Sequence, residues 1–165
     1  MANHGLPLTI PSVPVRSYTA GLVDGEGSIQ INPSKTKSGK RYWGLTIQIS
    51  GNGELFLSGV REEWGFVGSL TFWHPRGAKR DRVSCNWRIY SGQAGVFLEC
   101  LLPYLRLKRP QAEVALEFRK WIGRGRGSLT GEAIARRGEL ATQLRELNEK
   151  YGKSSARAES AYGVL

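Results

Sequence analysis

Between Ser28 and Tyr90 the hydrophobic pattern switches from a period of two to a helical period and back, and few architectures accommodate that. Ile29 and Ile31 alternate with Gln30 and Asn32. After a basic loop, Trp43, Leu45, Ile47 and Ile49 of "YWGLTIQIS" alternate with Thr46, Gln48 and Ser50. These runs predict a hairpin with one apolar and one polar face. "GELFLSGVREEW" then places Phe56, Val60 and Trp64 at helical spacing, with Asn52 as its candidate cap. "VGSLTFWH" (67–74) and "RVSCNWRIY" (82–90) flank a glycine-rich basic loop, and Val83, Cys85, Trp87 and Ile89 alternate with Ser84, Asn86, Arg88 and Tyr90. The second hairpin repeats the design of the first.

Helical segments surround these hairpins. Residues 1–13, with Pro7 and Pro11, read as an extended lead-in, and Pro14 fits the first turn of a helix reaching about Gly25. Ser91 opens a helix whose Ala94, Phe97, Leu98, Leu101 and Leu102 form an apolar stripe closed by Pro103. Val114, Phe118, Trp121 and Ile122 mark another helix, and Leu140, Leu144, Leu147 and Tyr151 a last one after "GRGRGSLTG". The order α-β-β-α-β-β-α plus two C-terminal helices predicts an α+β fold: one four-stranded antiparallel, saddle-like sheet with helices over its apolar face and its polar face open. We expect a single domain over 14–151 and a flexible tail over 152–165. A length of 165 residues with 40% hydrophobic content suits one core.

No apolar run approaches the roughly 20 residues of a membrane span, and the N-terminus lacks the order of a signal peptide, so a soluble intracellular protein without a membrane partner is expected. Cys85 and Cys100 lack paired spacing or nearby histidines and read as reduced, buried thiols. Charge points to the partner. Residues 35–126 hold 17 basic and 7 acidic side chains, which accounts for the whole net charge of +10. "KTKSGKR", "PRGAKRDR", "LRLKRP" and "RKWIGRGR" are patches that a compact fold could bring to one face, as a phosphate backbone requires; a solvated basic surface is the plainer alternative.

The polar sheet face would carry Gln30, Asn32, Ser34, Tyr42, Thr46 and Gln48 from the first hairpin, and Ser69, Thr71, Ser84, Asn86 and Arg88 from the second. Amide and guanidinium groups of this kind read base edges in a major groove. Lys35, Lys37, Lys40 and Arg41 in one loop, and Arg76, Lys79, Arg80 and Arg82 in the other, are the candidate phosphate contacts.

One segment, "YTAGLVDGEGSIQI" (18–31), fits no ordinary amphipathic pattern. Gly21 and Gly25 share a helical face, with Ser17 and Ala20 beside them, so another helix could approach closely. A symmetric dimer would pack this face against itself. Asp24 and Glu26 fall at the helix C-terminus, where the dipole disfavours carboxylates. Two Glu26 carboxylates meeting at a dimer axis would repel unless a divalent cation joined them.

Thr19-Ala-Gly-Leu-Val-Asp-Gly-Glu-Gly27 resembles the motif of the LAGLIDADG homing endonucleases, with Thr19 in place of the first leucine and Glu26 in place of the second aspartate. The element order and "LPYLRLKRPQA" (102–112) also look like that family's single-motif, homodimeric branch. The resemblance implies a dimer interface of Ser17, Ala20, Gly21, Asp24 and Gly25. It implies a metal held by Glu26 and the Gly25 carbonyl, with Asp24 in a supporting structural part, and makes Lys108 the active-site cation, with Arg106 its nearest rival. The water-positioning residue falls at Gly51 by direct match, with Asn52 as substitute, although Asn52 also suits helix capping. The implied activity is Mg²⁺-dependent hydrolysis of both strands of a long, roughly palindromic DNA target by an intron-encoded homodimer. Mn²⁺ or Ca²⁺ could occupy the same site. On the same fold, an intron RNA maturase or a non-cleaving DNA-binding regulator is the alternative.

Overall fold

The computed structural model describes residues 8–35, 39, 41–52, 54–73, 83–122 and 130–162, with the side chains of 34, 41, 42, 54 and 151–162 set aside. The order is α1 (Val13–Glu26), β1 (Gly27–Lys35), β2 (Arg41–Asn52), α2 (Glu54–Glu63), β3 (Ser69–Trp73), β4 (Ser84–Tyr90), α3 (Ser91–Leu101), α4 (Arg109–Lys120) and α5 (Gly131–Tyr162). The strands form one antiparallel sheet in the order β1-β2-β4-β3, the expected α+β architecture.

Alternation along the strands splits the sheet into two chemically distinct faces. Ile29, Leu45, Ile47, Ile49, Cys85, Trp87 and Ile89 are buried under the helices, and each such large side chain contributes about 1.5–3 kcal/mol. Trp64 of the turn after α2, Trp87 and Phe97 of α3 meet at the centre, with ring centroids 4.5 Å and 5.4 Å from Phe97. Both buried indoles are satisfied: Trp87 Nε1 donates to the Val67 carbonyl at 2.8 Å and Trp64 Nε1 to the Thr19 hydroxyl at 3.0 Å.

The structure corrects several boundaries. Along α2 and into the turn after it, the buried ridge is Leu57, Val60 and Trp64; Phe56 lies outside it, edge-on to Tyr18 of α1 with centroids 6.2 Å apart. β3 starts at Ser69 because the Arg61 side chain takes the carbonyls of Phe66, Val67 and Gly68 at 2.7–3.1 Å, closing the preceding turn. The backbone of α5 runs from Gly131 to Tyr162. Cys85 is buried but Cys100 only half-buried.

The C-terminal helices brace the sheet from its β1 side. Arg137 of α5, itself buried, donates from Nε to the Trp121 carbonyl at 2.8 Å and ties α5 to the end of α4. Asn148 donates to the Ile29 carbonyl of the edge strand β1 at 2.9 Å. Among the described residues no helix is long and apolar enough to cross a membrane.

Candidate nucleic-acid interface and catalytic cleft

The α1–β1 junction fixes the acidic pair. Gly27 ends the helix with its N–H on the Val23 carbonyl, and a Cβ there would lie 2.5 Å from that oxygen, so only glycine lets the chain turn straight into β1. Asp24 turns inward: its carboxylate accepts the backbone N–H groups of Arg106 and Lys108, both at 2.8 Å. The Lys108 ammonium donates to the Asp24 carbonyl, one of the helix-end acceptors left without an intrahelical donor. Burial there pulls the Lys108 pKa below its ordinary value, while the negative charges of Asp24 and Glu26 oppose the shift.

Glu26 turns outward. Its side chain is exposed and has no hydrogen bond or ion pair among the described residues. It borders a cleft of about 300 Å³ that it shares with Gln48, Ser50, Gly51, Asn52, Trp73, Ser84 and Asn86. One carboxylate thus stands at the end of the polar sheet face, with Lys108 anchored on the same helix end.

That face is a connected polar surface. Register places Gln30 opposite Thr46, Gln48 opposite Arg88 and Asn86 between Ser50 and Thr71. Arg88 Nε donates to Gln48 Oε1 at 2.8 Å, Ser50 donates to Asn86 Oδ1 at 2.7 Å, and Asn32 donates to Gln30 at 2.9 Å, which passes the chain on to Ser28 at 2.7 Å. Groups cross-linked in this way are held ready for a ligand without losing much further rotamer freedom.

No protein-family model and no curated protein sequence matches the chain. Solved structures do. The homing endonuclease I-CvuI, crystallised with the I-CreI target in 2 mM Mg and its DNA not cleaved, superposes with a TM-score of 0.64 at 20% identity, covering 80% of each chain. The archaeal intron-encoded homing endonuclease I-Vdi141I, complexed with DNA, gives 0.63 at 17% identity over 80% of this chain and 82% of its own. The LAGLIDADG homing endonuclease I-SmaMI, bound to cleaved DNA, gives 0.59 at 17% identity, over 79% of this chain and 43% of its own.

The fold is that of the LAGLIDADG homing endonucleases.

Within this LAGLIDADG fold, the expected site residues separate into three groups. Glu26, Gly51 and Asn52 line the cleft, and Lys108 and the Gly25 backbone sit at the same helix end. Asn52 is not a helix cap: β2 extends to it, opposite Ser84, and its Oδ1 accepts the Ser84 hydroxyl at 3.3 Å. On the α1 face, Ser17, Gly21 and Gly25 are exposed, and a Cβ added at either glycine would meet nothing within 4 Å. Of the expected interface residues, Ala20 is 0% exposed in the chain's own core, and the carboxylate of half-buried Asp24 is hydrogen-bonded to the loop before α4. A helix turns about 100° per residue, so Ala20 cannot share the outward direction of Gly21.

Of the expected nucleic-acid contacts, Gln30, Asn32, Thr46, Gln48, Ser69, Thr71, Ser84, Asn86 and Arg88 share the polar face, and Lys35 is exposed at the end of β1. Ser34, Arg41 and Tyr42 keep strand positions, but their side chains lie outside the described set. Lys37, Lys40, Arg76, Lys79, Arg80 and Arg82 lie outside the described residues altogether. Ser28 and Trp73 share this face without having been expected there, and Ser50, placed on the face by its alternation, was not among the expected contacts. Strict alternation carries both Ser28 and Trp73 to this side of the sheet, Trp73 in step with Ser69 and Thr71.

Proposed function

We propose that the chain is a site-specific homing endonuclease that acts as a homodimer and hydrolyses both strands of a long, roughly palindromic DNA duplex with Mg²⁺. The observation that carries this reading is the placing of an exposed Glu26 carboxylate, without a hydrogen bond among the described residues, near Lys108 at one helix end, beside a preorganised polar sheet.

The homodimer is supported by the contrast among the motif glycines. Gly27 is demanded by the chain's own backbone, whereas a Cβ at Gly21 or Gly25 would meet no neighbour within 4 Å among the described residues. A glycine in a helix interior costs roughly 0.5–1 kcal/mol relative to alanine, so an exposed pair is best explained by close approach of a second α1.

The donor set suits a hard cation. A free carboxylate and the Gly25 carbonyl are oxygen donors of the type Mg²⁺ and Ca²⁺ prefer. Among the described residues no group of three His, Cys, Asp or Glu side chains could hold a metal within one subunit. A second Glu26 and the DNA phosphates would complete the coordination, which makes the site dependent on both the dimer and the substrate. When bound, Mg²⁺ would polarise the scissile phosphate and ease removal of a proton from the attacking water.

The remaining steps belong to the protein. Asn52, fixed by Ser84, offers its amide to orient water in the cleft. Lys108, held by Asp24, supplies positive charge where the phosphate becomes more negative in the transition state. Gln30, Gln48, Asn86 and Arg88 would read base edges, and the basic loops would neutralise phosphates.

Selecting bound duplexes from a random pool and then adding Mg²⁺ tests the reading. Double-strand cuts at a fixed position, abolished by chelation, are expected. Binding that leaves the selected duplex intact would instead favour the non-cleaving regulator, and selective capture of structured RNA the maturase.

A further inference from the structure

Trp73 is out of place on its sheet face. Register sets it opposite Ser84, which puts it in line with Ser69 and Thr71 on the polar side of β3, while Leu70 and Phe72 take the other side. It is 42% exposed and lines the cleft with Glu26 and Asn52. A half-exposed indole forfeits roughly 25 cal/mol for every Å² of apolar surface left in water, and the side chain makes no hydrogen bond among the described residues.

The surface around it specifies what could cover that ring. Gln48, Ser50, Asn52, Ser84 and Asn86 are hydrogen-bonding groups suited to a polar, grooved ligand. An indole among them has little to offer a base edge, because it accepts no hydrogen bond and donates one. Its broad face can stack on a base instead. Proteins that bind the minor groove insert apolar and aromatic wedges between base steps, giving up a few kcal/mol of base stacking to hold a duplex in a bent form, and an indole reaching a base from the sheet face would use the same exchange. The position beside Glu26 is where bending would be most useful, since it would bring the scissile phosphate to the carboxylate.

We propose that Trp73 packs its indole against an unstacked base at the step next to the phosphate addressed by Glu26, and so holds the duplex bent for cleavage. This rests on the DNA-binding reading above. It adds a contact that is insensitive to salt and tolerant of base identity, in contrast to the phosphate and base-edge contacts.

The experiment uses the whole protein, without divalent metal, and the duplex recovered by binding selection with 2-aminopurine substituted in turn at each position around the cut. Wild type and Trp73→Phe should raise 2-aminopurine fluorescence at one step on binding. Trp73→Ala and Trp73→Gln should not, and should bind roughly 5- to 150-fold more weakly, as loss of one stacking contact worth about 1–3 kcal/mol implies. The slope of log affinity against log salt should be the same for all four proteins. Flat fluorescence at every position with the wild type overturns the proposal without reference to any variant. So does wild-type affinity in Trp73→Ala, or a lowered melting temperature with unchanged DNA binding, which would make the ring a structural cover. Failure of the wild type to bind any duplex in a salt-sensitive manner would instead bring down the DNA-binding reading itself.

Discussion

Thr19 and Trp64, 45 residues apart in sequence, form a buried hydrogen bond in which the indole Nε1 donates to the threonine hydroxyl at 3.0 Å. The hydroxyl in turn donates to the Val15 carbonyl at 2.7 Å. This relay accounts for the departure of the motif from leucine at its first position: a leucine there would leave the buried Trp64 N–H without an acceptor.

Thr19→Val, which keeps the shape and removes the acceptor, should therefore cost about 1–3 kcal/mol of stability, the penalty for an unsatisfied buried donor. Thr19→Ser should retain most of it. Urea denaturation monitored by tryptophan fluorescence checks both, and equal midpoints for valine and threonine would show that the relay carries no stability.

Gly21→Ala separates folding from assembly. The added methyl meets nothing within 4 Å among the described residues, and alanine is favoured over glycine in a helix interior by up to about 1 kcal/mol. Subunit unfolding at low protein concentration should become harder, whereas dimerisation by sedimentation velocity should weaken. A variant that dimerises as tightly as wild type would remove this face from the interface.

Asp24→Ala strips the anionic acceptor from the amides of Arg106 and Lys108 and frees the segment that presents Lys108. Hydrogen bonds to charged groups are worth about 1.5–3 kcal/mol, so a loss of this order is expected on denaturation, together with a fall in the cleavage rate at saturating DNA. Asp24→Asn should recover part of both. An unchanged rate in Asp24→Ala would mean that Lys108 needs no such support.

Burial lowers the Lys108 pKa on folding, so between the folded value and the ordinary lysine value the unfolded chain binds more protons than the native one. Stability carried by this group must then rise with pH across that window. Lys108→Met removes that slope and, if the cation assists catalysis, also the cleavage activity, while leaving DNA affinity lowered by one phosphate contact at most. Parallel stability profiles for the two proteins in alkaline buffer would contradict the burial.

How much of this was legible in the sequence depended on the length of the pattern. Ile47, Ile49, Trp87 and Ile89 alternate strictly, and the strands they define lie in the one antiparallel sheet expected, with their polar partners outward. Short segments were less informative. The phase of α2 could not be chosen between Phe56 and Leu57 without knowing that Tyr18 offers Phe56 an outer contact. Ala20 was grouped with the glycines by size, but burial in a helix is decided by direction, and one residue's rotation turned it into the core. Asn52 has the chemistry of a cap, yet pairing with Ser84 kept it in the strand. The partnership of Asp24 with residues 106 and 108 joins positions more than 80 apart, and nothing local announces it.

Glu26 decides the central claim. Wild type and Glu26→Gln should be compared for Mg²⁺-dependent cleavage of the selected duplex at saturating protein, with binding measured in parallel. The account predicts that both proteins occupy the duplex and only the wild type cuts it, with the loss exceeding a hundredfold, on the order seen when a transition-state charge contact is removed. Cleavage by Glu26→Gln at the wild-type rate would contradict it.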